Sequence, residues 1–139
     1  MIIIAGSASP KLSAQVANLL GAELVNAEFK RFPDGEIYVR AEAEVRRKPV
    51  AIIQSTCPPQ NDNLFELLLL LDAVKVLGAS RIVAVVPYLA YARQDKRFKP
   101  GEAISLRTVS KLISQSGAAE VITIDAHQEE ALGNFSIPT

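Results

Sequence analysis

The strongest constraint in this 139-residue chain is the recurrence of short, β-branched apolar runs separated by long connections. Met1–Ala5, Val50–Ile53, Ile82–Val86 and Val121–Ile124 are too short for buried helices, so each is expected as a strand covered on both faces. The connections are too long for tight turns and carry helical signals. Ser9 stands as an N-cap before Pro10, with Leu12, Val16, Leu19 and Leu20 at helical spacing and Gly21 as the stop. Asn63 followed by Glu66 predicts a second helix ending at Gly78, and Ser105 a third ending at Gly117, with Leu106, Val109, Leu112 and Ile113 on one face. Strands alternating with helices imply an α/β fold, a three-layer sandwich whose mainly parallel sheet has helices on both sides.

One stretch breaks that rhythm. Leu24–Phe32 and Glu36–Ala41 alternate apolar and polar residues around Pro33-Asp34-Gly35, a turn sequence, and predict a hairpin at one edge of the sheet. The helix between Asn63 and Gly78 is apolar almost all round, so its outer side needs a cover, either further chain or another subunit. Glu66, Asp72 and Lys75 interrupt it and exclude a membrane span.

The length fits a single domain over residues 1–139. Fifteen basic and fifteen acidic residues cancel, so no global field favours nucleic acid or a membrane surface as a partner. Cys57 is the only cysteine, which leaves no disulfide and no cysteine metal set, and reads as a small apolar filler. The apolar N-terminus lacks the basic flank and length of a signal peptide, and a soluble cytoplasmic protein is the expectation.

Chemistry concentrates after the third run. Pro87 stops the strand, and Tyr88, Tyr91, Arg93, Gln94, Asp95, Lys96 and Arg97 follow where an open α/β sheet places its ligand, beyond the carboxyl ends of its strands. Arg93, Lys96, Arg97 and Lys99 put four cations within seven positions, which suits a phosphate or polyphosphate. A solvated loop is the plain alternative, and the tyrosines serve packing as readily as a base or ribose. At the exit of the fourth run stand Asp125 and His127, the only histidine, a candidate pair for metal or phosphate. Gly6-Ser7-Ala8-Ser9 lacks phosphate-loop spacing and is taken as a turn.

Four stretches together resemble a known family. FPDGEIYVR at 32–40, IIQSTCPPQNDNLFELLLLLDA at 52–73, RIVAVVPYLAYARQDKRFKPGEAIS at 81–105 and IDAHQ at 124–128 are similar, in order, to the N-terminal half of ribose-phosphate diphosphokinase, the phosphoribosyl diphosphate synthetase. The short KPGEAIS loop is closer to the archaeal form. The resemblance implies a type I phosphoribosyltransferase-like fold and transfer of the β,γ-diphosphoryl group of ATP to ribose 5-phosphate, with Mg²⁺ as cofactor. It implies ATP contacts from Arg93 and Gln94, and the cation cluster read above adds Lys96, Arg97 and Lys99 as ATP-binding candidates. Phe32, Asp34, Gly35 and Glu36 would embrace adenine from the hairpin of a neighbouring subunit, and hence in a homo-oligomer. His127, with Asp125 behind it, would meet Mg²⁺–ATP.

The family's other half, with its ribose-phosphate loop and catalytic Lys and Arg, has no counterpart among these residues, so no catalytic residue is assigned here. Phe98, Pro100, Gly101 and Ser136 also depart from the family pattern. The expectation is therefore an ATP-binding half, inactive alone, needing a complementary domain to engage ribose 5-phosphate. The alternatives are a non-catalytic assembly or regulatory module of the same fold and, with less support, a phosphoribosyltransferase.

Overall fold

The four apolar runs do lie side by side in one parallel sheet, which has a fifth member. The computed structural model describes residues 1–139. Its elements run β1 (Ile2–Ala5), α1 (Pro10–Leu20), β2 (Glu23–Asn26), β3 (Glu28–Arg31), β4 (Ile37–Arg40), β5 (Pro49–Ile53), α2 (Gln60–Val76), β6 (Arg81–Val85), α3 (Ser105–Ser116) and β7 (Glu120–Ile122), before a short 3₁₀ turn at Glu129–Asn134. The sheet order is β2-β1-β5-β6-β7, all parallel, while β3 and β4 form a separate antiparallel pair.

Alternation sorts the strand residues onto two faces. Ile2, Ile4, Val50, Ile52, Ile82, Ala84 and Val121 point to the side roofed by α2 and α3, where they join Leu64, Leu67, Leu70, Leu71, Val74, Leu106, Val109 and Ile113 in the main core. Each such Leu or Ile withdrawn from water contributes about 1.5–3 kcal/mol. Ile3, Ala51 and Ile53 face the other way, against Ala17 with Leu12 and Val16 of α1. Helix α1 is the only helix on that side and lies over β1 and β2. Val83 and Val85 are consequently half-buried, not enclosed on both faces as expected, and Ile122 stays 46% exposed.

Several boundaries differ from the expected ones for identifiable reasons. The run Leu24–Phe32 is not one hairpin arm: Glu23–Asn26 joins the main sheet beside β1, and after Ala27 the chain leaves it to pair Glu28–Arg31 with Ile37–Arg40. Helix α2 starts at Gln60, directly behind Pro59, because a proline ahead of the first turn removes no helical hydrogen bond. Asn63 is thus inside the helix, where its Nδ2 donates to the Cys57 carbonyl at 2.7 Å. Ser9 does sit at the N-cap of α1, yet its hydroxyl accepts the Ser55 N–H at 2.9 Å and so joins two loops. Ser105 is the first residue of α3, not its cap. Strand β7 stops at Ile122, after which the Pro87 carbonyl takes both the Ile124 and the Asp125 N–H and the regular ladder ends.

The outer side of α2 is covered largely from within the chain, by the β3–β4 pair and by α3. Phe65 and Val76 remain exposed. No helix is long and apolar enough to cross a membrane.

Candidate functional site

The carboxyl ends of the strands bring four loops to one rim: Gly6–Ser9, Gln54–Pro59, Tyr88–Gln94 and Asp125–Gln128. The chain turns outward from β1 to β2 over one face and from β5 through β6 to β7 over the other, so the topological switch falls between β1 and β5. That crevice is where such sheets commonly take a ligand. Here a side chain of the protein fills it. Gln54 is fully buried; its Oε1 accepts the Ala8 N–H at 2.9 Å, and its Nε2 lies 3.2 Å from Ser7 Oγ, the Asn63 carbonyl and Glu66 Oε2. Ser7 also donates to Glu66. A Cβ at Gly6 would come within 2.2 Å of Gln54 Oε1, so glycine there is what lets the glutamine in.

The open space lies one step along the rim, over β6 and β7. A cleft of about 360 Å³ is lined by Asn61, Tyr88, Tyr91, Arg93, Gln94, Asp125 and His127 among others. Its floor is rigid. The Ala90 N–H donates to Thr56 Oγ1 at 2.7 Å, Thr56 Oγ1 donates to the Tyr88 carbonyl at 2.8 Å, and Tyr88 bridges Asp125 across the end of the sheet. The His127 N–H donates to Asp125 Oδ1 at 3.2 Å, with His127 itself in the left-handed region at φ 63°. A smaller hollow of about 300 Å³ adjoins, sharing Gln94 and adding Lys96, Phe98 and Glu102.

Beyond the cleft the cation-bearing loop, which also carries Asp95, closes on Glu102. The Glu102 carboxylate accepts the Phe98 N–H at 3.0 Å and the Lys99 N–H at 2.9 Å, and its carbonyl accepts Arg97 Nε at 2.9 Å. Ser105 donates to Gln94, which ties the loop to the start of α3. The ion pairs of the protein are Lys30–Glu28, Arg31–Asp62, Arg40–Glu42 and Arg81–Glu120. Arg93, Lys96, Arg97 and Lys99 take part in none of them. Of the four, Arg93 lines the cleft with Asp125 and Lys96 lines the adjoining hollow with Glu102, a mixed rim whose unpaired cations suit an anion.

The sequence-predicted residues thus fall into three groups. Arg93, Gln94, Asp125 and His127 meet in one cleft; Lys96 lines the adjoining hollow; Arg97 and Lys99 belong to the loop that Glu102 folds. Phe32, Asp34, Gly35 and Glu36 are exposed at the tip of the β3–β4 pair and line neither space. There Gly35 takes φ 97°, its N–H donates to the Phe32 carbonyl at 2.9 Å, and Asp34 Oδ1 accepts the Glu36 N–H at 3.1 Å. At the other end of the pair the Lys30 ammonium, 2.6 Å from Glu28, holds the Glu28 carboxyl below its ordinary range, and Glu28 in turn raises Lys30.

Asp125 offers a hard carboxylate oxygen, whereas the His127 imidazole is a poorer partner for Mg²⁺. No group of three or more His, Cys, Asp or Glu side chains gathers here or elsewhere. The set fits a cation that arrives with phosphate oxygens completing its shell, not one caged by the protein. Asn61 and Glu102 escaped the sequence reading, since nothing in their local pattern ties them to the rim.

Residues 1–117 match the family model described as the N-terminal domain of ribose phosphate pyrophosphokinase. The chain is 49% identical over 138 residues to the ribose-phosphate pyrophosphokinase of Methanobrevibacter smithii, covering 99% of this chain and 46% of that protein. It is 44% identical over 136 residues to ribose-phosphate pyrophosphokinase 1, chloroplastic, of Oryza sativa subsp. japonica, covering 98% of this chain and 34% of that one. Among solved structures, phosphoribosylpyrophosphate synthetase from Mycobacterium smegmatis superposes with a TM-score of 0.92 at 37% identity, over 99% of this chain and 46% of that chain. The chain therefore spans between a third and a half of the length of these relatives.

Proposed function

Because the chain belongs to the family of N-terminal domains of ribose phosphate pyrophosphokinase, we propose that residues 1–139 form a single ATP-binding domain, the nucleotide-holding half of a diphosphoryl transferase. The full reaction moves the β,γ-diphosphoryl group of ATP to the 1-hydroxyl of ribose 5-phosphate and releases AMP. The observation that carries the reading is the cleft over β6 and β7, which brings Arg93, Gln94, Asp125 and His127 together, with Lys96 lining the adjoining hollow.

Such a transfer demands positioning and charge neutralisation more than protein covalent chemistry. Arg93 presents a planar fork that suits two phosphate oxygens at once, and Gln94 adds an amide donor and acceptor beside it. Lys96, Arg97 and Lys99 supply further positive charge from the Glu102-folded loop. Asp125 and His127 stand where a phosphate-bound Mg²⁺ would be met, the ion contributing neutralisation of the charge that develops on the phosphoryl oxygens. Phe32, Asp34, Gly35 and Glu36 do not line this cleft, so the adenine contacts assigned to them require the hairpin of a second copy. A homo-oligomer follows from that assignment.

The domain alone is inactive in this reading, because ribose 5-phosphate is gripped by the complementary half. Isothermal calorimetry with Mg²⁺–ATP is the direct test. Micromolar to millimolar binding that falls at least tenfold in Arg93→Ala supports the proposal. A folded protein indifferent to nucleotide would point to a non-catalytic assembly module of the same fold. Release of AMP from ATP and ribose 5-phosphate after adding a complementary domain tests the wider reaction; no turnover from a folded, nucleotide-binding pair refutes it.

A further inference from the structure

We infer that Asn61 is a positioning residue for the cleft, acting through Tyr91 to hold Arg93 and Gln94 at its rim. Three non-glycine residues have positive φ: Arg47, Tyr91 and His127. Two of the three line the cleft. A tyrosine at φ 66° is out of its ordinary range, a conformation costing about 1–3 kcal/mol that persists only where surroundings impose it.

At Tyr91 the constraints are visible. On its N-terminal side Leu89 and Ala90 are buried and Ala90 is fixed to Thr56; on its C-terminal side Ala92 is buried. The Tyr91 carbonyl accepts the Gln94 N–H at 2.9 Å, closing a turn that turns Arg93 outward. The hydroxyl donates to Asn61 Oδ1. That bond is the tie from the turn to α2, and α2 is a firm post, anchored behind Asn61 by Asn63 on Cys57 and by buried Leu64 and Leu67.

Asn61 has no evident competing task. It is exposed, it is not the N-cap, and no side chain caps α2. Released from it, Tyr91 can relax toward negative φ, and Arg93 and Gln94 move with the turn. The inference rests on the nucleotide reading only for what the cleft holds, not for the clamp itself.

Asn61→Ala and Tyr91→Phe each delete the hydrogen bond without touching Arg93. Each is expected to weaken Mg²⁺–ATP binding about five- to tenfold, the range of one lost hydrogen bond. The double variant should be no weaker than the singles, and Asn61→Ala should add little in an Arg93→Ala background. Losses that add in full would mark unrelated effects and overturn the inference. A nucleotide-free measurement separates the clamp from the ligand. Amide resonances of Ala92, Arg93 and Gln94 should shift alike in Asn61→Ala and Tyr91→Phe, and return in Asn61→Asp, which keeps the acceptor oxygen. Unmoved amides would end the proposal whatever the affinities. Shifted amides in a protein that binds no nucleotide would sink the ATP reading and keep the clamp.

Discussion

Replacing Gln54 by alanine should cost the protein more than any other change of a polar residue. The side chain is 0% exposed and offers one acceptor and two donor hydrogens to the Ala8 N–H, Ser7 Oγ, the Asn63 carbonyl and Glu66. Two hydrogens cannot serve three acceptors at once, so three bonds are the fair count. At about 1 kcal/mol net for each, the loss is about 3 kcal/mol, before any cavity effect. At this chain length 1 kcal/mol moves the melting temperature by roughly 4 °C, so Gln54→Ala should melt roughly 10–15 °C lower. Gln54→Glu separates polarity from shape. It sets a second carboxylate beside Glu66, which raises the folded-state pKa above the unfolded one. The penalty is therefore absent below the ordinary carboxylate range and grows as pH rises, so the gap to wild type should widen between about pH 4 and pH 7. Calorimetric melting across that range reads both effects. If Gln54→Ala melts within about 2 °C of wild type, the crevice between β1 and β5 is not held shut by this network.

Other consequences can be checked more briefly. Leu67→Ala empties a fully buried position between α2 and the sheet and should lower unfolding stability by about 2–5 kcal/mol in urea titrations. Glu102→Ala should speed hydrogen exchange at the Phe98 and Lys99 amides while leaving the melting temperature nearly unchanged, because that loop is exposed. Carbon-detected NMR should find the Glu28 carboxyl titrating below 4.5, and Lys30→Ala should bring it back up. The pair's support for the hairpin is present above that carboxylate range, lost as acid protonates Glu28, and lost again when base passes the raised value of Lys30.

What was legible in the sequence follows from how much each feature depends on distant chain. Ile2–Ala5, Pro49–Ile53 and Arg81–Val85 announced themselves because central parallel strands are apolar over their whole length. Glu23–Asn26 did not, since an edge strand with three exposed residues looks like the arm of the hairpin that follows. Arg93, Gln94, Asp125 and His127 were found by a rule of place, that polar groups just past strand ends share a rim, and they do share one. The tip residues Phe32, Asp34, Gly35 and Glu36 could not be placed by that rule and line neither the cleft nor the adjoining hollow. Gln54 looked like an ordinary strand exit. Its burial depends on Gly6 and Ala8 some 46 residues upstream approaching closely, which no local pattern records. Asn61 was hidden for the same reason, 30 positions from the hydroxyl it meets.

The loop bearing Arg93, Lys96, Arg97 and Lys99 also carries Asp95 and Glu102, so four cations less two carboxylates leave it a local excess of two positive charges in an electrically neutral molecule. That excess lies beside the cleft and should favour a polyanion's approach there, although Arg46, Arg47 and Lys48 set a second cationic run at the opposite ends of the strands. Capture rates should then fall with added salt even near the isoelectric point, where a uniformly neutral surface would show almost no ionic-strength dependence.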